Sequence, residues 1–425
     1  MPPIRFIHAA DLHLDAAFSG LSRDIPADFA ERLRTATFTT FRRLLDLCER
    51  ESPDFLLLAG DVYNQEDASV SAQLALRDGF RRLESLSIPV FLVHGNHDPL
   101  ASRLRSVRWP GNVTVFGELP DAVPVFRKGE GTPLAIIHGA SHASGRETRN
   151  LAALFRRTEA CGLHVGLLHA TPGDADGVAR YAPFSQGDLK ASGMDYWALG
   201  HIHDRREVCR EPLAAYPGCT QGLHINEPGE KGCLLVTAEA RPDGGYAVRT
   251  SFRPLGPAVW KTLDMDLGGA ASVDELENRL RTGLDRAAAE VWSGCEMLLV
   301  RLRLQGRTEL DGLLRKGTTC AELADRLRED GSGVPRIWIK DIDVATRPCV
   351  ERGALLERED LLGEVFRLSE AARTASGLQA LREGPLAPLF AHARAGKALE
   401  PLTDEELARL LDDAESLCLD LLEND

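Results

Sequence analysis

The sequence predicts a layered α/β protein, β-sheets flanked by helices, followed by a small α/β unit and a helical tail. Three observations carry that prediction. Short apolar runs that stop at Gly or Asp recur through the first half, and amphipathic stretches lie between them. After a turn-rich stretch that closes near Pro257, a second strand–helix alternation begins.

Five apolar runs read as buried strands meeting loops, and each ends in residues that can bind a metal. They are 4–10 before Asp11 and His13, 54–60 before Asp61, 89–95 before Asn96 and His97, 165–168 before His169, and 195–200 before His201 and His203. Between them, 29–51 carries Phe38, Phe41, Leu44, Leu45 and Cys48 at helical spacing, and 68–86 carries Leu74, Leu76, Phe80 and Leu83. Further on, 231–240 and 246–255 flank a Pro-Asp-Gly-Gly turn as a hairpin would. From 258 to 345 the order is strand, helix, strand, helix, strand, a small α/β unit. Residues 346–360 read as a linker, and helix follows. The last helix opens on a capping box at Thr403 and Glu406, with Leu407, Leu410, Leu411, Ala414, Leu417, Cys418 and Leu421 on one apolar face. The expected domains are therefore 1–257, 258–345 and 346–425.

Composition narrows the function classes. A hydrophobic content of 44% and a charged fraction of 27% suit a globular protein. No apolar run approaches the ~20 residues that span a bilayer, and the first residues lack a signal-peptide layout, so a cytoplasmic protein is expected. The nine cysteines are scattered without a C-x-x-C pair and read as reduced thiols. A net charge of −14 is the wrong sign for binding nucleic acid by charge alone. Bound dications can still make one cleft positive.

In an open α/β sheet the carboxyl ends of the strands line one crevice, so the polar run-ends can converge there. Asp11 and His13 fall on one side of an extended segment, as do His201 and His203. Asp61 has two oxygens and can bridge two ions. Asn96 offers a neutral oxygen beside the imidazole of His97, and His169 adds another imidazole. Together they form a cage for two divalent transition-metal ions, and imidazole-rich ligation favours Mn, Fe or Zn over Mg. Glycines before Asp61, Asn96 and His201 fit tight turns with close backbone approach. A lone histidine after a strand is more often structural, and His8, His94, His138, His142, His164, His224 and His392 are read so.

The set D-x-H, G-D, G-N-H-D, a lone H and G-H-x-H, in this order, resembles the calcineurin-like metallophosphoesterase superfamily. The stretches 216–222 and 226–232 are similar to the segment after G-H-x-H in SbcD- and YhaO-type DNA repair exonucleases, bacterial relatives of the meiotic-recombination-eleven nucleases. The resemblance implies a first metal on Asp11, His13, Asp61 and His203, and a second on Asp61, Asn96, His169 and His201. It implies that His97 points at the scissile phosphate, with Asp98 orienting it, and that the metal is Mn. It further implies DNA as substrate, an SMC-like coiled-coil ATPase as partner through the C-terminal helices, and a capping role for 258–345. Self-association as a homodimer through the tail is the rival use of those helices. Where archaeal members carry L-F-H after G-D, this chain has Val62-Tyr63-Asn64, which puts an auxiliary histidine role in doubt. Arg103, Arg105 and Arg108 follow G-N-H-D, in a region that borders DNA in the family. Two rivals stay open: a phosphoesterase for a small nucleotide phosphodiester or a phosphoprotein, and a scaffold that binds metal only structurally.

Overall fold

The computed structural model describes residues 2–21, 25–64, 69–101, 107–127, 129–173, 180–242, 244–329, 333–349, 352–391 and 402–422. Arg103, Arg105 and His392 lie outside the described residues.

The five apolar runs are strands, and they divide between two sheets. The first sheet holds β1 (Ile4–Ala9), β2 (Phe55–Ala59), β3 (Val90–Val93) and β4 (Val113–Val115), extended by β11 (Gly232–Ala240) and β12 (Tyr246–Pro254) in the order β12-β11-β1-β2-β3-β4. The second holds β5 (Asp121–Val125), β6 (Ala135–Ala140), β7 (Leu163–His169), β8 (Tyr196–Gly200), β9 (Arg206–Arg210) and β10 (Leu213–Tyr216) in the order β5-β6-β7-β8-β10-β9. β1, β2 and β3 run parallel, as do β6, β7 and β8, while β11 and β12 form the expected antiparallel hairpin. A crevice at the edge of one sheet is thus corrected to the place where the strand ends of two sheets meet.

Strand alternation sorts the side chains into layers. Phe6, Phe55, Leu57 and Phe91 of the first sheet pack with Val165, Leu167, Tyr196 and Ala198 of the second. Phe6 stacks on Phe55 with ring centroids 4.7 Å apart. The opposite face of the first sheet carries Ile7, Leu56 and Leu58, covered by Leu44 and Leu45 of helix Ala36–Glu51 and by Leu76, Phe80 and Leu83 of helix Val70–Ser85. The outer face of the second carries Leu168, Trp197 and Leu199, which pack with Phe155 and Leu189.

The predicted helix over 29–51 is two helices, Ala27–Arg34 and Ala36–Glu51, that break at Thr35. Its hydroxyl donates back to the Glu31 and Arg32 carbonyls, a bond that competes with helix continuation. After Pro257 come β13 (Ala258–Asp266), β14 (Met297–Thr308) and β15 (Arg336–Pro348), a sheet in that order, with helices Val273–Glu290 and Thr319–Glu329 between them.

Contacts divide the chain into two compact units. One is Met1–Asp266, Leu276–Leu304 and Leu314–Ala345; the other is Leu267–Glu275, Gln305–Leu313 and Thr346–Asp425. Most of 258–345 therefore groups with the first domain rather than alone. Apolar packing is the reason: Ala258, Trp260, Met297, Leu299 and Trp338 share one buried cluster with Phe29, Leu33 and Ala36.

In the second unit, the expected linker 346–360 contains the end of β15 and a short helix, Arg352–Leu356. The capping box forms: Glu406 accepts from the Thr403 N–H at 2.7 Å, and Thr403 Oγ1 accepts from the Glu406 N–H at 3.2 Å. The apolar face differs from the expectation. In helix Asp404–Leu422 the buried line is Leu407, Glu415 and Leu419, while Leu410, Ala414, Leu417 and Leu421 are exposed. Glu415 takes an inward position because Arg352 and Arg373 pair with it, at 2.6 and 3.1 Å. Among the described residues no helix is long and apolar enough to cross a membrane, and all nine cysteines are free thiols.

Candidate metal centre

Backbone pairing continues past the strands and builds the site. The loops after β1 and β2 run side by side, with Asp11 N–H donating to Gly60 O, His13 N–H to Asp61 O and Leu14 N–H to Val62 O. Asp11, His13, Asp61 and His201 adopt positive φ values of 52°, 40°, 48° and 104°. Such strain, about 1–3 kcal/mol per residue, persists where the surroundings over-determine it, and it gathers at functional sites. The expected close approach is also present. A methyl group at Gly95 would run into Asp61 Oδ1 and the His169 ring.

Asp11, His13 and His203 bring donor atoms within 4.8 Å of one another, and so do Asp61, His169 and His201. Asn96 joins the second group through its Oδ1, 3.0 Å from His169 Nε2. His97 is exposed at the rim. Its N–H donates to Asp61 Oδ1 at 2.9 Å, and its ring lies edge-on to His13 with centroids 5.2 Å apart.

The described partners of Asp98 are backbone N–H groups and His94. Its buried carboxylate accepts from the Val62 and Gly95 N–H groups at 3.0 and 2.7 Å and lies 3.3 Å from His94 Nδ1. Any orienting of His97 by Asp98 would act through this backbone. Backbone donors from two loops meet Asp98 first, so it braces the turn that carries Asn96 and His97.

Three imidazoles share one arrangement. His13 Nδ1 meets Asn64 Oδ1 at 2.6 Å, His169 Nδ1 meets Ala59 O at 2.9 Å, and His203 Nδ1 meets Glu227 Oε1 at 2.6 Å. Each acceptor requires a proton on Nδ1 and turns Nε2 inward, the arrangement found around ligating histidines. His13 Nε2 and His203 Nε2 then lie 3.2 Å apart. Two nitrogens each ~2.0–2.1 Å from one ion would be separated by roughly 3.0–3.4 Å, so the pair fits a shared cation. Asn64 and Glu227 were not assigned from the sequence. Asn64 was read only as a lost histidine, and Glu227 lay in a turn segment with no role.

The electrostatics match. Burial pushes Asp11 up to about 6, against the pull of His169 and His203. Burial also works to raise Asp61, but the charge and hydrogen bond of His169, with His13 and His97, hold it well below the usual carboxylate range. His169 is raised to about 9, because Asp61 and Asp11 outweigh its burial. Burial works against a charged His203 as well, and the Glu227 hydrogen bond and Asp11 overcome it. Buried carboxylates surrounded by imidazoles hold cationic charge, whether protons or metal ions.

Two stacked sheets with clustered imidazoles and carboxylates at their strand ends define a metallophosphoesterase. Residues 4–205 match the calcineurin-like phosphoesterase family, and residues 260–347 match the middle domain of the metallophosphoesterase YhaO. The chain belongs to the calcineurin-like metallophosphoesterases. It is 35% identical over 392 residues to a protein of Bacillus subtilis (strain 168) named "Uncharacterized metallophosphoesterase YhaO", covering 90% of this chain and 91% of that one. It is 28% identical over 320 residues to the DNA double-strand break repair protein Mre11 of Aeropyrum pernix, covering 68% of this chain and 69% of the relative. The Mre11 of Methanopyrus kandleri is 23% identical over 383 residues, covering 77% and 79%.

Proposed function

We propose that this protein is a two-metal-ion DNA phosphodiesterase, an exonuclease subunit acting in DNA repair. The observation that carries the reading is the inward convergence of imidazole Nε2 atoms beside two buried carboxylates. Asp11, His13, Asp61 and His203 would hold one ion, and Asp61, Asn96, His169 and His201 the other, with Asp61 between them. Manganese is the expected metal, with iron or zinc as alternatives. When bound, the two dications supply charge neutralisation for a phosphodiester and lower the pKa of an attacking water.

The chain's own residues do the rest. Asp61 accepts from the His97 N–H, so the residue shared by both groups also sets the His97 backbone. The exposed His97 ring stands where substrate arrives, able to give a proton to the leaving sugar oxygen. The overall charge of −14 makes DNA binding depend on the ions or on a partner. Two features support the nuclease reading over a small-substrate phosphoesterase, the two Mre11 relatives and the YhaO-type middle domain, and the retained His97 argues against a scaffold that binds metal only structurally. An SMC-like coiled-coil ATPase is the expected partner, and the scattered cysteines suit a cytoplasmic location.

The test is hydrolysis. Purified protein with Mn is given end-labelled duplex and single-stranded DNA, a nucleotide phosphodiester and a phosphopeptide. Degradation of DNA is expected. Turnover of the small substrates alone would replace this reading with the phosphoesterase one.

A further inference from the structure

His203 is held from outside the strand loops, at its ring and at its backbone. Glu227 Oε1 lies 2.6 Å from His203 Nδ1. The second oxygen, Oε2, accepts from the Leu223 N–H at 2.7 Å, so the carboxylate cannot swing away without losing another bond. The Glu227 N–H donates to His224 O at 2.9 Å and closes the turn that carries it. At the other end, the His203 carbonyl accepts from Lys231 Nζ at 3.0 Å and from the Cys219 N–H at 3.2 Å.

Cys219 Sγ, Glu227 and His203 Nδ1 also bring their donor atoms within 4.8 Å of one another, a group that could take a cation by itself. Lys231, with its side chain only 6% exposed, places an ammonium at this spot and supplies that charge. The cluster is better explained as a support for His203 than as another ion site. Its two oxygens are both engaged, one by the His203 ring and one by the Leu223 N–H, and a carboxylate oxygen is a strong acceptor for an Nδ1–H.

We propose that Glu227 is a positioning residue for the metal centre: its carboxylate fixes His203 as the Nδ1–H tautomer and aims Nε2 at the ion shared with Asp11 and His13. This rests on the reading of that group as a metal site. Partners of this kind typically change metal affinity by about 10–100-fold when removed.

Manganese binding to the full chain, by equilibrium dialysis with elemental analysis, tests it. Wild type is expected to bind two ions. Glu227→Ala should weaken one of them by about 10–100-fold and leave the other unchanged. Glu227→Gln keeps an acceptor oxygen and should restore affinity to within several-fold of wild type. Thermal unfolding of both variants identifies any general loss of fold. Glu227→Ala with the wild-type isotherm overturns the proposal, as does a Glu227→Gln no better than Glu227→Ala. Wild type that binds no manganese overturns the metal centre and this proposal together, whereas two-ion wild type with an indifferent Glu227→Ala overturns the positioning role alone.

Discussion

Four of the side chains that converge at the centre hang from backbone in the left-handed region, which L-residues enter only when their neighbours hold them there. Here the neighbours are each other's loops: His201 N–H donates to both oxygens of Asp11, at 3.1 Å, and His13 N–H to Asp61 O at 3.0 Å. Asp61 accepts from the backbone and in the proposed centre would also bridge the ions, whereas His97 contributes an exposed ring. Their variants should therefore separate. His97→Ala is expected to keep its manganese and lose about 10²–10⁴-fold in DNA hydrolysis, the usual worth of a general acid. Asp61→Ala is expected to lose the metal itself. Elemental analysis beside the nuclease assay decides it, and an Asp61→Ala protein with wild-type metal content would contradict the bridging assignment. Asn64 shows where residue-by-residue reading fell short. Its type excluded a proton shuttle but could not disclose that its Oδ1 accepts from His13.

Among the elements, the strands and the last helix were legible, and the buried face of that helix was not. Along β1 and β2, Phe6, Phe55 and Leu57 face the second sheet and Ile7, Leu56 and Leu58 face the helices, as a period of two requires. In helix Asp404–Leu422 the pattern offered an apolar stripe too wide for its neighbour. Packing with Leu362 and Phe366 of helix Leu361–Ala372 took Leu419; Leu407 and a paired Glu415 are buried as well, and Leu410, Leu417 and Leu421 are left 46%, 58% and 65% exposed. Those leucines lie at one helical face and are the surface on which docking of the ATPase coiled coil would depend. Replacing all of them with Gln should leave basal DNA hydrolysis unchanged and abolish co-purification of a co-expressed SMC-like ATPase. Retained co-purification would discard the docking surface, and loss of a homodimer instead would reassign it to self-association.

For the whole molecule, buried histidines tie stability to pH. His8 is sealed between the sheets, with Nδ1 2.9 Å from the Tyr196 hydroxyl and Nε2 3.2 Å from Leu199 O, and burial lowers it to about 3. His138, 3.0 Å from His164 across β6 and β7, is lowered to about 4, by burial first and by His164 second. Both values lie below the ordinary 6.5, so the unfolded chain takes up these protons first as pH falls. The associated stability is complete above about pH 6.5 and is lost on acidification toward the folded values. The melting temperature is expected to drop between pH 6.5 and 4.5, with a shallower slope in His8→Gln. An identical slope in that variant would show that His8 does not contribute.

The sequence by itself determined the strands, the family and the residues that converge. Buried runs, glycine turns and ligand types are local properties written in consecutive residues such as Gly95, Asn96 and His97. Only the tertiary structure decided that the centre joins two sheets, that Asp98 braces a turn, that Glu227 and Asn64 back the imidazoles, and that most of 258–345 groups with the first domain. Those outcomes depend on which groups meet across the chain, 24 residues apart for Glu227 and His203, 51 for Asn64 and His13, and 190 for His203 and His13. Hydrogen-bond partners and apolar packing at that range are chosen by three-dimensional proximity, which no local pattern encodes.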